Sequence, residues 1–224
     1  VTAIFAGLLT KVGVYAIIRT QTLMFPPGEG GANWGDDVLL WVAAATMIVG
    51  VVGAIAQDDM KRILAFHIIS QIGYMIMGLG LFTVVGVAAA VFYVIHHIVV
   101  KTALFLVAGL VDHRAGSSRL SSVGGLVRSA PVIAALFAVP ALSLAGLPPF
   151  SGFLAKFALV DAGLSQGSSA IVAVALAVGL FTLFSMTNIC TGAFWGGAET
   201  EHERYPQTTD RFGGPPLMYL ATLS

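Results

Sequence analysis

Ser143-Leu144-Ala145-Gly146-Leu147-Pro148-Pro149-Phe150-Ser151-Gly152 falls inside the longest apolar run of the chain, residues 131–160. A membrane-spanning helix needs about 20 mostly apolar residues. This run exceeds that length while carrying Pro140, Gly146, Pro148, Pro149 and Gly152, residues that a helix interior tolerates poorly. It reads as two half-helices joined by unwound backbone, which a bilayer accepts only where the break faces protein or a polar cavity. Lys156 stands four residues beyond Gly152. Free carbonyls and half-helix dipoles beside a titratable side chain can hold an ion or water, so Lys156 is the first candidate site residue. The alternative is a lysine reaching the outer interface from the last turns of the second half-helix.

Outward from this segment, five more runs reach spanning length, near 1–24, 38–56, 63–82, 87–111 and 169–195. With 57% hydrophobic and 10% charged residues and 26 glycines in 224, the composition excludes an ordinary soluble domain. The expected fold is all-α, a polytopic transmembrane helical bundle of six spans, with the start of a seventh at 215–224. The chain opens on Val1 inside one apolar run and stops soon after another begins, so it reads as an internal piece of a longer protein. The single Cys190 excludes an internal disulfide and a cysteine-clustered metal site. There is no phosphate-binding glycine loop and no nucleic-acid-type basic patch; Gly28 to Gly31 belong to an exposed turn.

If the spans alternate, one side receives 57–62, 112–130 and 196–214, which carry Lys61, Arg62, Arg114, Arg119, Arg128, Arg204 and Arg211. The other side receives 25–37, 83–86 and 161–168, without a lysine or arginine, and only Arg19 near the end of the first span. By the positive-inside rule the first set is cytoplasmic. Asp58, Asp59, Lys61 and Arg62 then form a charged topological anchor, and Glu199, Glu201 and Glu203 a solvated loop.

Three lysines, Lys11, Lys101 and Lys156, lie inside apolar runs, whereas all eleven acidic residues lie outside them. An ionised lysine near mid-bilayer costs roughly 2.5–3.5 kcal/mol on insertion scales, an expense that packing alone does not explain and that points to ion or proton transport. Tyr93, His97 and Lys101 recur every four residues and so share one helical face. Histidine titrates near neutrality and burial can bring lysine into range, so the pair could pass protons across a short hydrated gap. The bland reading is a histidine satisfied by a backbone carbonyl and a lysine that snorkels. His96 points about 100° away from that face. His67, Gln71 and Tyr74 share a face of the third span, either as a route by which protons enter or as interhelical hydrogen-bonding groups. Lys11 lies midway along the first run between Gly7 and Gly13. Thr182, Ser185, Thr187 and Asn188 read as packing groups.

Together, Leu8-Leu9-Thr10-Lys11-Val12-Gly13-Val14-Tyr15, Asp58-Asp59-Met60-Lys61-Arg62-Ile63-Leu64-Ala65, Ser70-Gln71-Ile72-Gly73-Tyr74, His97 to Leu106 and Ser143 to Phe153 with Lys156 resemble the antiporter-like membrane subunits shared by Mrp-type cation/proton antiporters and respiratory NADH:quinone oxidoreductase. Within that family, His96-His97-Ile98-Val99-Val100-Lys101-Thr102, Lys156-Phe157 and Ala193-Phe194-Trp195 look most like the D-type subunit of the Mrp group. The resemblance implies two inverted five-helix repeats, with residues 1–24 as the last helix of the first, 38–195 as the second, and 215–224 opening a further helix. It implies a proton path through Lys11, His97, Lys101 and Lys156 and an acidic member upstream of Val1; Tyr93, His96 and His67, read from helical spacing, are the further candidates beside that path. Many respiratory members carry a histidine where Tyr93 stands. The implied role is a secondary-transporter subunit without redox cofactor or metal, in the bacterial cytoplasmic membrane. Its expected partners are other hydrophobic antiporter subunits, lipid, protons and sodium. The rival is the proton-pumping arm of a respiratory enzyme.

Overall fold

The protein is described by a computed structural model covering residues 2–24 and 34–196. Every span expected there is helical. The first comprises α1 (Thr2–Ile4), a π-helical turn (Phe5–Leu9) and α2 (Thr10–Met24). There follow α3 (Trp34–Ile55), α4 (Met60–Gly80), α5 (Val84–Ala115), the short α6 (Leu126–Ser129), α7 (Pro131–Ala145), α8 (Ser151–Ser165) and α9 (Ser169–Ile189), which runs on as a π-helical segment, Cys190–Trp195. The expected glycine turn at 28–31, the glutamates at 199–203 and the seventh-span start at 215–224 lie outside the described residues.

Local chemistry sets the boundaries. The Asp59 carboxylate accepts from Arg62 N at 3.0 Å to open α4, and Thr83 Oγ1 accepts from Gly86 N at 2.9 Å to open α5. Left-handed Gly116 and Gly146 close α5 and α7, where a side chain would be strained. The broken helix is present, with its break confined to 146–150. Pro140 does not contribute to it: this proline stays inside α7, buried, because neighbouring helices in a bundle absorb the lost backbone bond.

Central α4 packs against α3 and α5, and α5 in turn against α7 and α8. The α3–α4 seam is tight enough that a Cβ on Gly50 would fall 2.3 Å from Ser70 N. Loop segments meet at the ends expected of alternating spans. Asp59 forms an isolated antiparallel bridge with Arg119, Met60 N donates to Ser118 O, and Leu120 N donates to Asp58 O, both at 2.9 Å. Ser121 Oγ donates to Asp58 at 2.7 Å, Ser118 Oγ donates to Asp59, and Lys61 pairs with Asp112. The charged turn at 57–62 thus ties two loops together. At the opposite end Asp37 and Ser168 share one shallow pocket.

Two apolar cores fill the bundle, with Ile72 packed against both. One gathers Met60, Leu64, Leu104, Phe137, Ile189 and Phe194, and the other Met47, Tyr74, Met77, Tyr93, Leu159 and Val178. Outward-facing side chains such as Trp41, Val84, Val99, Leu154 and Leu180 are exposed, as a lipid-facing surface requires.

Candidate functional site

On α4, α5 and α9 the two apolar cores are separated by one to two helical turns, and Ser70, Gln71, His96, His97, Thr182 and Ser185 occupy those intervals, with His67 and Lys101 just beyond their edge. Lys11, His67, Ser70, Gln71, His96, His97, Lys101, Ser143, Thr182 and Ser185 are all buried. They form a polar band across the middle of the bundle, flanked above and below by hydrocarbon.

The three lysines share one solution to the missing carboxylate: each donates to backbone carbonyls. Lys11 Nζ reaches Ala6 O at 2.9 Å and Thr10 Oγ1 at 3.0 Å, beside the π-helical turn. Such turns leave backbone groups outside the regular ladder and recur at functional sites. Lys101, fully buried, donates to Leu64 O at 3.0 Å in the second turn of α4, so its amine stays in the protein. Among the described residues the only ion pair is Lys61–Asp112, at the bundle's end.

Lys156 shows how sequence builds a site. In an uninterrupted helix, Leu144 O and Ala145 O would accept from the amides of residues 148 and 149, but both are prolines and have no N–H. Lys156 Nζ takes both orphaned carbonyls, at 3.0 and 3.1 Å. Its ammonium also lies 5.1 Å from the centroid of the Tyr74 ring, within cation–π range. The lysine therefore folds back onto the break instead of reaching an outer interface. Gly146 gives it passage, since a Cβ there would stand 2.9 Å from Lys156 Cδ. The half-helices nearly touch at Gly152, where a Cβ would overlap Ser143 O.

The shared face of α5 takes a different form from the one its spacing suggests. Tyr93, His97 and Lys101 are all fully buried, but none bonds to another of the three: Tyr93 and Lys101 bond to α4. The Tyr93 hydroxyl donates to Gln71 Oε1, and neither ring nitrogen of His97 has a partner. The charges of Lys11 and Lys101 act on His97, and those of Lys101 and Lys156 on His67, with no hydrogen bond between any histidine and lysine among the described residues. His67 Nε2 is hydrogen-bonded to Ser185 Oγ at 2.9 Å, while Gln71 Nε2 donates to Thr182 Oγ1 at 3.5 Å. Tyr74 donates to Ala175 O at 2.5 Å. Thr182 and Ser185 thus join the band, whereas Thr187 and Asn188 are exposed. His96 turns from the Tyr93 face toward the break, its Nδ1 2.8 Å from Ser151 Oγ. Sequence reasoning missed Ser143 and Ser151; their position flanking the two prolines was the available signal.

A helical membrane bundle with a broken helix and a mid-depth band of buried lysines and histidines defines the antiporter-like class of membrane subunit. The chain belongs to the NADH:quinone oxidoreductase/Mrp antiporter transmembrane family, whose pattern matches residues 1–189. It is 50% identical over 204 residues to the D-type Na+/H+ antiporter subunit of Alkalihalophilus pseudofirmus, covering 91% of this chain and 41% of that protein. To the Bacillus subtilis protein of the same name it is 37% identical over 196 residues, covering 88% and 39%. A chain in the Mrp complex from Dietzia sp. DQ12-45-1b superposes with a TM-score of 0.83 at 45% identity, over 88% of this chain and 36% of that one. A chain of respiratory complex I from Thermus thermophilus gives 0.77 at 28% identity, over 86% and 40%. The chain spans about two fifths of the length of the curated relatives it matches.

Proposed function

We propose that this chain is the second-repeat part of a proton-translocating membrane subunit in a multi-subunit Na+/H+ antiporter of a bacterial cytoplasmic membrane. Residues 38–195 form that repeat and residues 1–24 close the first. The observation that carries the reading is the band itself: three buried lysines held by backbone carbonyls, with the buried His67 and His97 among them. A lysine bonded to neutral carbonyls keeps no permanent counter-charge, so its proton can move and its charge can bias its neighbours. Protons would pass along Lys11, His97/Lys101 and Lys156, with Tyr93, His96 and His67 completing the hydrogen-bonded surroundings, and their inward movement would drive sodium outward. The higher identity to the Na+/H+ antiporter chain than to the respiratory one favours the antiporter over a redox-driven pump.

The test is Lys101→Ala and Lys156→Ala in the full-length protein within its complex, assayed for Na+/H+ exchange in vesicles. Both variants are expected to assemble and to lose exchange. Unaltered exchange in either removes that lysine from the path. Purification of the tagged complex separates the rival: small hydrophobic partners without flavin or iron support the antiporter, and NADH-driven quinone reduction supports the respiratory pump.

A further inference from the structure

We propose that the end of α7 is a binding site for a free monovalent cation, with the Lys156 ammonium as its tethered occupant. Leu144 O and Ala145 O have lost their helical donors to Pro148 and Pro149, and they converge on one point at 3.0 and 3.1 Å. They lie at the C-terminal end of a 15-residue helix, where the partial charge is negative. The Tyr74 ring closes a third side and offers its π-face to a positive charge. Such a cup is charge-neutral and all acceptor, suited to an alkali cation or ammonium as much as to a lysine.

A second observation marks the surroundings as a ligand site. His96 is 5% exposed, and its Nε2 has no partner although it stands 3.0 Å from where a Gly152 Cβ would lie, at the break. Its Nδ1 meets Ser151 Oγ, and Ser151 Oγ lies 3.5 Å from Ser143 Oγ. Polar atoms able to accept therefore stand on both sides of the break, Leu144 O and Ala145 O before it and Ser151 Oγ after it. A free cation that displaces the ammonium adds a unit charge to the band unless Lys156 gives up its proton as it leaves, so the charge-neutral swap is one cation in for one proton out. As a coupling site this rests on the transport reading above; as a binding site it does not.

The experiment is equilibrium binding of radioactive sodium to the detergent-purified complex, with potassium and ammonium as competitors, for wild type, Lys156→Gln, Lys156→Met and Lys156→Arg. Glutamine and methionine remove the tethered charge, and either variant, once assembled, is expected to gain one saturable site per complex for at least one of the three cations. Arginine keeps a charge in place and gains none. Adding Tyr74→Leu to Lys156→Gln should weaken the gained site roughly threefold to thirtyfold. No gained site for any of the three cations in an assembled Gln or Met variant overturns the proposal, as does the same gain with arginine. Should neither variant assemble, infrared difference spectra of the wild-type complex decide: bands in the lysine ammonium region induced by a saturating cation support displacement, and their absence overturns it. Transport is not the readout, so failure here leaves the proton path untouched.

Discussion

Gly146 combines two demands at a single position. Its φ of +89° is a conformation that side chains resist, at a cost of about 1–2 kcal/mol, and its missing Cβ leaves room for Lys156 Cδ. Gly116 has a similar φ of +70° but open space around it. Gly116→Ala is therefore expected to cost about 1–2 kcal/mol of stability and leave exchange intact. Gly146→Ala is expected to incur the same strain and also dislodge the lysine, so that exchange falls by an order of magnitude or more; thermal unfolding and vesicle exchange on the same samples check both. The candidate lysines were legible because a charge in an apolar run is conspicuous. Their partners were not, because those partners are backbone oxygens that no side-chain pattern names. Only the two prolines hinted at them, by removing the donors that would have occupied Leu144 O and Ala145 O.

Among the elements, α4 is both scaffold and part of the site, since Leu64, His67, Gln71 and Tyr74 line its inner face. Its first turn is held by Asp59. Partial burial opposes ionisation of that carboxyl, but the Ser118 hydroxyl, the Arg62 and Lys61 amides and the Arg62 charge outweigh it and hold the pKa below the usual range. A depressed folded-state pKa stabilises the protein above the ordinary carboxylate range, and that contribution disappears as pH falls through the folded value. Asp59→Ala is expected to cost about 0.5–2 kcal/mol at neutral pH as a lost helix cap, and the gap from wild type should narrow on acidification below about pH 4. Unfolding midpoints at neutral and acid pH report it. The Lys61–Asp112 pair beside it, with both side chains more than a third exposed, is worth at most about 1 kcal/mol. The helices themselves were readable from run length, and the break from its glycines and prolines. The π-helical turn at Phe5–Leu9 was not, because one inserted residue in a helical ladder leaves the apolar pattern nearly unchanged.

At the scale of the whole molecule, the arrangement of loops fixes an orientation to test. In a background with Cys190 replaced by serine, Ser122→Cys lies in the segment expected on the cytoplasmic side and Gln166→Cys in the opposite one, and both positions are exposed. A membrane-impermeant maleimide is expected to label Gln166→Cys in intact cells and Ser122→Cys only in inverted vesicles. The reverse pattern would invert the topology. Charge counting alone gave this orientation, because lysine and arginine are distributed so unevenly between the loops. The gathering of polar residues from several helices into one band could not be counted in the same way, since depth along a tilted helix depends on packing partners distant in sequence. Apolar side chains of the two cores pack on both sides of that band. A charge carried across a whole bilayer at 100 mV exchanges about 2.3 kcal/mol with the field, so on the proposed path the voltage would weigh on the steps by which a proton enters and leaves the bundle more than on steps within the band.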